Sequence, residues 1–344
     1  MANGGIPGYY SRGLEGHRAS YLAFVIARFG GRRVAPQEMF GWRGPLLFLM
    51  IEENFGLYCV TGLWRSLLGR RTVGLLFRPL PAAEAKSWRL KLKRAVLRAL
   101  RYVPAVQTLS IVPVPLVPKI GAIVDSWIHD FQLWDLTESE SARFEEIRTP
   151  STQLARPAPI FTEAKHFAKG RPLLIALGMQ NQAKGAERLA ASMREGGTKD
   201  WAVLVAGRFA PEAAHWRIAI EAHGGHIVDR FLSDDEMLAL YAAADAIWCL
   251  YDPSYDQASG ILGRAIQLGI PPIVRTGSLS ESFCRAESIF HVSAEGGRDL
   301  NTALIKTLIE DRDISKATYL KVHRIQQNLA RLRTALQQSS AETK

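Results

Sequence analysis

The sequence predicts an α/β protein of two domains, each built on a parallel sheet with helices on both faces. The chain has 344 residues, 47% of them hydrophobic, and this length exceeds what a single hydrophobic core usually accommodates. Short apolar runs alternate with helical segments of about 10 residues, the rhythm of a parallel sheet. A stretch rich in Ser, Thr, Glu and Pro, residues 138–159, is predicted to link the two halves. The predicted domains are 1–150 and 160–312, followed by a C-terminal helix and tail, 313–344.

The second half shows this alternation clearly. Ser233 and Glu236 have the capping-box spacing that starts a helix. The other predicted helices are 185–194, 211–222 and 259–268, and the predicted strands are 173–177, 201–206, 226–232, 246–251, 272–274 and 289–292.

The first half shows the same pattern less regularly. No strand is predicted before Gly13, although such a domain usually opens with one. Predicted strands are 46–51, 72–76, 106–112 and 121–124, and predicted helices are 19–29 and 87–102, with a last helix at 314–338.

Charge is distributed unevenly along the chain. Residues 1–120 hold 18 Lys and Arg against 5 Asp and Glu, and the remainder holds 25 against 28. Such a basic first third favours an anionic partner. Trp88–Arg101 interleaves basic and apolar residues, as helices on anionic bilayers do. The alternative is a surface helix that packs Leu92, Val96 and Leu100 into the core.

Other composition signals are negative. No apolar run reaches the ~18 residues of a membrane span, and the N-terminus has no apolar signal core. The three cysteines have no metal-ligand spacing and no HExxH or EF-hand pattern is present, so no metal is predicted. No cofactor is expected either. We therefore expect a cytoplasmic protein, peripheral on the inner face of the membrane if the basic helix binds lipid.

Two loops are predicted to hold an anion, because ligands of open α/β sheets bind at the carboxyl ends of strands. After the strand 173–177, Gly178 allows a sharp turn and Lys184 places an ammonium beside a helix start. Ser259 and Gly260 open another helix, whose first N–H groups are orphan donors. The alternatives are a solvated Lys184 and a Ser259 that only caps its helix. The loop Phe231–Asp235, which includes Leu232, offers main-chain groups for a base edge, and the alternative is an ordinary connection.

The ordered motifs resemble the donor domain of retaining GT-B glycosyltransferases, the large family with mannosyl- and glucosyltransferases of cell-surface glycans. The resemblance covers about 140 residues. Its motifs are Gly178…Lys184-Gly185, a strand ending at Gly207, the helix Asp235–Tyr241 with Ala244-Asp245, Asp252-Pro253-Ser254 and Gly269-Ile270-Pro271.

The resemblance implies two Rossmann-like domains facing a cleft, with the C-terminal helix returning toward the first domain. It implies a nucleotide-diphosphate sugar as donor and a glycan or lipid-linked acceptor, in cell-surface polysaccharide synthesis. The family's paired glutamates fall on Asp256, implied to lie near the donor sugar, and on Arg264, which can only donate hydrogen bonds. Phosphate charge would then rest on Lys184, Ser259 and Gly260, with Arg208 or Arg264.

The first domain contributes fewer candidates. Gly13-Leu14-Glu15-Gly16-His17 matches the glycine loop of the family, with Glu15 or His17 toward a sugar or acceptor hydroxyl; a plain turn is the alternative. The resemblance also assigns a donor-sugar contact to a strand-end histidine, here His129, with Asp125 nearby. Glu52-Glu53 is predicted to be a solvated loop.

Two rival functions remain. The replacement at Arg264 also fits a catalytically inactive GT-B-like subunit that binds a partner. The basic first third fits a nucleic-acid-binding protein, but no RNA- or DNA-binding motif accompanies the charge. Nucleic acid is therefore not expected as a partner.

Overall fold

The computed structural model describes residues 5–14, 17–149, 158–256, 259–301 and 314–337. The chain divides into two compact units, the first Met1–Phe131 with His323–Lys344 and the second Gln132–Val322. The division falls inside the segment predicted as the first domain. Each unit holds one six-stranded sheet in which every strand pair is parallel.

Unit 1 has the strand order β2-β1-β3-β4-β5-β6, a doubly wound arrangement that reverses between β1 and β3. Its strands are β1 (Gly8–Tyr10), β2 (Arg32–Arg33), β3 (Leu46–Phe48), β4 (Thr72–Leu76), β5 (Val106–Ser110) and β6 (Ser126–Trp127). Its helices are α1 (His17–Phe29), α2 (Pro36–Met39), α3 (Phe55–Leu67), α4 (Pro79–Glu84) and α5 (Trp88–Leu100).

Unit 2 has the order β9-β8-β7-β10-β11-β12, the Rossmann arrangement of two mononucleotide-binding halves. Its strands are β7 (Leu173–Leu177), β8 (Ala202–Ala206), β9 (His226–Val228), β10 (Ala246–Cys249), β11 (Pro272–Arg275) and β12 (Val292–Ala294). Its helices are α6 (Glu138–Arg148), α7 (Pro159–Ala168), α8 (Ala186–Arg194), α9 (Ala214–Ala222), α10 (Asp234–Ala243), α11 (Gly260–Gln267) and α12 (Leu279–Ala286).

The central strands of unit 2 are apolar on both faces because helices cover both sides of the sheet. Every residue of β7 and β8 is buried. Alternate residues belong to two clusters: Leu173, Ile175 and Leu177 face one, and Leu174 and Ala176 face the other. This two-sided burial explains why these strands could be predicted from uninterrupted apolar runs.

The last helix, α13 (Ile314–Gln337), carries its C-terminal half into unit 1, as predicted. Leu332 and Leu336 are buried there, and the Arg71 Nε donates to the Ala335 carbonyl at 2.5 Å. None of the helices in the described ranges combines the length and apolar character that a membrane span requires.

Three sequence predictions are wrong in unit 1 and around its boundary. The strand predicted at 121–124 is replaced by a 3-10 turn, Pro118–Ala122, which its Pro and Gly favour. The unpredicted β1 pairs with both β2 and β3. The predicted linker contains α6, whose Thr137 and Glu140 form a capping box.

Candidate functional site

The strand order of unit 2 reverses between β7 and β10, where the chain begins to add strands on the other side of β7. These strands are neighbours, although the chain passes from β7 to β8 and reaches β10 only after β9. At such a switch point the connections diverge at the carboxyl ends of the strands and leave a crevice for a ligand. Here those connections are 178–185 after β7 and 250–259 after β10.

The loop after β7 is held rigidly against the loop after β8. Gly178 has φ +83, and a Cβ on Gly207 would lie 2.0 Å from the Gly178 carbonyl oxygen. The buried Gln180 donates from its amide nitrogen to that same oxygen at 3.0 Å. Gly178 is thus required by its positive φ, and Gly207 by the close approach of the Gly178 backbone.

Lys184 points to the loop that follows β10. Its Nζ donates to the Ser259 Oγ at 3.3 Å and lies 4.5 Å and 4.1 Å from the ring centroids of Tyr251 and Tyr255. Gly185 makes this approach possible, since a Cβ there would lie 2.3 Å from the Leu250 carbonyl oxygen. The ammonium therefore lies against two aromatic faces, a favourable setting for a cation.

Ser259 does not act as an ordinary helix cap. Its side chain makes no capping hydrogen bond to α11, and its Oγ is instead 2.8 Å from the Tyr251 hydroxyl and 3.3 Å from Lys184. Gly260 begins the helix, and a Cβ there would lie 2.3 Å from the Gln132 Oε1. The structure thus brings Lys184, Ser259 and the first turn of α11 together, as the proposed anion site requires.

Asp256 is engaged at the start of α12. Its Oδ1 accepts from the Leu279 backbone N–H at 2.7 Å, and its Oδ2 lies 3.8 Å from the Arg275 guanidinium. A carboxylate at a helix N-terminus is favoured by the helix dipole. The role near the donor sugar that the resemblance implies for Asp256 stays a prediction.

Arg264 lies one turn into α11 and pairs with two acids, one just before α6 and one in its first turn. Its guanidinium is 3.4 Å from the Asp135 carboxylate and 3.9 Å from that of Glu140. Burial raises the pKa of Asp135, which the Arg264 charge and a hydrogen bond from Gln267 oppose. Donor binding by Arg264 stays a prediction, and in this structure its charge is used inside unit 2.

Arg208 and Leu232 lie on the neighbouring loops. Arg208 follows β8 with an exposed side chain, and its carbonyl accepts from the Gln180 N–H at 2.8 Å. Leu232 is buried just before α10. The predicted capping box of Ser233 and Glu236 is present and holds that loop in place.

The candidates of unit 1 are only partly described. Gly13 lies in the loop after β1, and its carbonyl accepts from the Ser11 Oγ at 2.8 Å. Glu15 and Gly16 lie outside the described residues. His17 begins α1, and its side chain is likewise outside the described part.

His129 is buried against α13. Its backbone N–H donates to the Asn328 Oδ1 at 3.0 Å, and its Nδ1 lies 3.3 Å from the same oxygen. Asp125 accepts from the Thr108 N–H at 2.7 Å, and burial raises its pKa. The sugar contact of His129 stays a prediction.

The prediction of a solvated Glu52-Glu53 loop is wrong. Glu52 accepts from the Arg78 backbone N–H at 2.5 Å, and burial raises the pKa of its carboxyl. Glu53 is 2.5 Å from the Arg18 guanidinium. Both follow β3, beside the point where the strand order of unit 1 reverses. The loops after β1 and β3 leave neighbouring strand ends there.

Sequence reasoning missed the aromatic and amide partners of the site. Tyr251 and Tyr255 follow a strand end four residues apart, and that spacing was the available signal. Gln132 gave none, because it is about 130 residues from Gly260 in the chain and reaches it only through folding.

Comparison with known proteins supports the fold. No protein-family model matches this sequence, and no curated protein does. HepE from Anabaena, solved in complex with UDP, gives a TM-score of 0.62 at 11% identity, over 96% of this chain and 99% of HepE. HepE solved with UDP-glucose gives 0.60 over the same shares.

Two other solved structures are similar. The α,α-trehalose-phosphate synthase (UDP-forming) of Burkholderia xenovorans gives a TM-score of 0.57 at 11% identity, over 87% of this chain and 74% of that enzyme. The catalytic domain of Arabidopsis thaliana starch synthase IV, bound to ADP and acarbose, gives 0.56 at 10% identity over 97% and 80%. The predicted GT-B fold, with two Rossmann-like domains, is therefore confirmed.

Proposed function

We propose that this chain is a glycosyltransferase that moves a sugar from a nucleotide-diphosphate sugar to a glycan or lipid-linked acceptor, in cell-surface polysaccharide synthesis. The observation that carries the proposal is the convergence of Lys184, Ser259 and the first turn of α11 at the switch point of unit 2. An ammonium beside a helix N-terminus provides the charge that a pyrophosphate requires.

The proposed role of Lys184 follows from where negative charge develops during sugar transfer. As the glycosidic bond to the donor phosphate breaks, the leaving nucleoside diphosphate gains charge on its terminal phosphate. Lys184 and the helix N-terminus are fixed before the reaction, so they stabilise that charge without reorganising. The donor is a substrate, and neither a metal nor a cofactor is part of the proposal. The solved complexes of HepE with UDP and of starch synthase IV with ADP support a nucleoside diphosphate at this type of fold.

A panel of nucleoside diphosphates tests binding first. We expect one of UDP, GDP or ADP to raise the melting temperature, and Lys184→Ala to abolish that increase. A screen of the matching sugar donors then tests transfer by mass spectrometry, where Lys184→Ala is expected to reduce turnover about 10²–10³-fold. Lys199→Ala, an exposed lysine of unit 2, is the matched control. Full activity of Lys184→Ala would contradict the assignment.

A second candidate function is a catalytically inactive GT-B-like subunit. It is favoured because the residues at both family glutamate positions already have partners within unit 2: Asp256 accepts from the Leu279 N–H, and Arg264 pairs with Asp135. This candidate predicts no stabilisation by any nucleoside diphosphate or its sugars. Stabilisation without turnover on any donor would instead indicate a site that binds and has lost catalysis.

We extend the proposal to a peripheral position on the inner membrane face, through α5. Of the residues expected to pack inward in the alternative interpretation, Leu100 is buried and Val96 packs against the core, but Leu92 is exposed. Trp88 is also exposed, and the helix contains five Lys and Arg without an acid. These properties support contact with anionic lipid.

A further inference from the structure

Helix α3 buries its one charged residue and, besides the apolar side that packs on the core through Leu57 and Tyr58, exposes a second apolar face. Its only charged side chain, Arg65, is 0% exposed. Val60, Leu63, Trp64 and Leu67 follow the spacing of one helix face, and they are 57%, 48%, 50% and 82% exposed. A helix on the surface of a globular protein normally has polar or charged residues on its outer face.

The exposed apolar residues are concentrated in one part of unit 1. Among the residues that the structure describes, thirteen large hydrophobic side chains are exposed, and eight of them lie between positions 60 and 102. Single exposed hydrophobic residues are ordinary, but a contiguous set marks an interaction surface. We call Val60, Leu63, Trp64, Leu67 and Leu68 the α3 face.

The basic helix α5 contacts the start of α3, and the segment that follows α5 contacts the end of α3. The Lys93 Nζ is 5.1 Å from the ring centroid of Phe55 at the start of α3, and the Ser66 Oγ near its end donates to the Pro104 carbonyl. Both helices pack against β5. Lys91 and Arg98 of α5 have exposed side chains, so two neighbouring helices of unit 1 expose apolar and basic residues.

We propose that the α3 face inserts into the interfacial layer of an anionic lipid bilayer, while Lys91 and Arg98 contact lipid phosphates. Trp and Leu on the apolar side, with Lys and Arg beside them, is the combination that binds such a surface. The inference deepens the membrane part of the proposed function and is independent of its catalytic part.

Charge argues against the other occupants. In a twofold dimer the same patch meets itself, so the basic α5 of one copy would lie near that of the other and repel it. A nucleic acid would satisfy Lys91 and Arg98 but leave Leu63 and Leu67 in water. A bilayer with anionic headgroups satisfies both the charge and the apolar area.

Vesicle sedimentation with the full chain tests the proposal, using phosphatidylcholine alone and phosphatidylcholine with 30% phosphatidylglycerol (roughly one anionic lipid in three). We expect binding only to the anionic vesicles. Leu63→Gln/Leu67→Gln is expected to weaken binding by about 10-fold or more through lost apolar burial. Lys91→Gln/Arg98→Gln is expected to weaken it by about 10-fold and to reduce its dependence on salt.

Two matched controls come from unit 2. Ile218→Gln removes an equally exposed apolar residue, and Arg194→Gln/Lys199→Gln removes the same charge; both are expected to bind as the unchanged chain does. Melting temperatures verify that each variant folds.

Three results would overturn the inference. The first is no binding to anionic vesicles, and the second is unchanged binding by Leu63→Gln/Leu67→Gln. The third is a concentration-dependent dimer that this variant abolishes, because the α3 face would then be covered by a second copy. If the second result came with lost binding of Lys91→Gln/Arg98→Gln, the chain would bind anionic lipid through α5 alone, and the role of α3 would be refuted. None of these outcomes depends on nucleotide binding or sugar transfer.

Discussion

Arg65 in unit 1 and Lys184 in unit 2 are both cations that form no ion pair with a carboxylate in the described part of the chain, yet their surroundings differ. Arg65 makes five hydrogen bonds, to the Thr72 Oγ1 and to the carbonyls of Met39, Trp42, Gly44 and Arg71. Lys184 donates to one hydroxyl, that of Ser259, and otherwise lies against two tyrosine rings.

The difference distinguishes a cation that stabilises the fold from a cation with donors available for a ligand. All the donors of the Arg65 guanidinium are used, so it has no capacity left for a ligand. Burial lowers its pKa to about 10, which keeps it charged at neutral pH. The ammonium of Lys184 has three donors and uses one of them on Ser259 within the described contacts. Aromatic faces hold the charge in place without consuming its hydrogen bonds.

The largest effect is expected from Arg65→Met. Removing the guanidinium leaves several buried carbonyls without donors, and we expect a loss of about 3–5 kcal/mol in the free energy of unfolding. Urea denaturation measures it, with the exposed Arg28→Met as control. A variant as stable as the unchanged chain would show that Arg65 is not the structural cation described here.

Glu281→Gln extends the comparison to a buried anion. Burial alone would raise the pKa of Glu281, but hydrogen bonds from Ser293, Gly277 and Arg285 outweigh it and lower the pKa to about 2 from an ordinary 4.5. Because the folded pKa is depressed, the stabilisation is complete above pH 4.5 and is lost as the pH falls toward 2. We expect Glu281→Gln to cost about 1–3 kcal/mol at pH 7.

The difference between Glu281→Gln and the unchanged chain should shrink as the pH is lowered below 4.5, as measured by urea denaturation at each pH. Glu212→Gln, at an exposed position, is the control and should show no such dependence. A difference that stays constant with pH would assign the effect to packing instead of charge.

Lys184→Met should behave unlike Arg65→Met. We expect the free energy of unfolding without ligand to change by about 1 kcal/mol or less, because only one hydrogen bond and the aromatic contacts are lost. Stabilisation by a nucleoside diphosphate should disappear. A strongly destabilised variant that still binds the nucleotide would place Lys184 in the same class as Arg65.

The smallest effect is expected from Tyr255→Leu. The Tyr255 ring lies 4.1 Å from the Lys184 Nζ, and its removal should weaken nucleoside diphosphate binding about two- to fivefold by calorimetry. Tyr255→Phe keeps the aromatic face and should bind unchanged. Equal losses in both variants would show that the hydroxyl, and not the ring, supports the lysine.

The sequence predicted the elements whose signal is local. Leu173–Leu177 and Ala202–Ala206 are uninterrupted apolar runs, and Ser233 with Glu236 has the spacing of a capping box. Gly8–Tyr10 was missed because a strand of three residues produces no periodicity, and only its pairing with β2 and β3 defines it. Helix α3 was missed because apolar residues lie on both its buried and its exposed faces, so the sequence lacks the contrast of an amphipathic helix.

For the candidate site, the sequence alone predicted Gly178, Lys184 and Ser259. A glycine after a strand, a lysine beside a helix start and a small residue at a helix start can each be recognised from their order along the chain. Folding decided what each side chain contacts. It turned Ser259 from its helix toward Lys184 and Tyr251, and it joined Arg264 to Asp135. The contacts of Ser259 with Lys184 and of Arg264 with Asp135 join residues about 75 and 130 positions apart, which strand order in a parallel sheet brings together and local sequence does not encode.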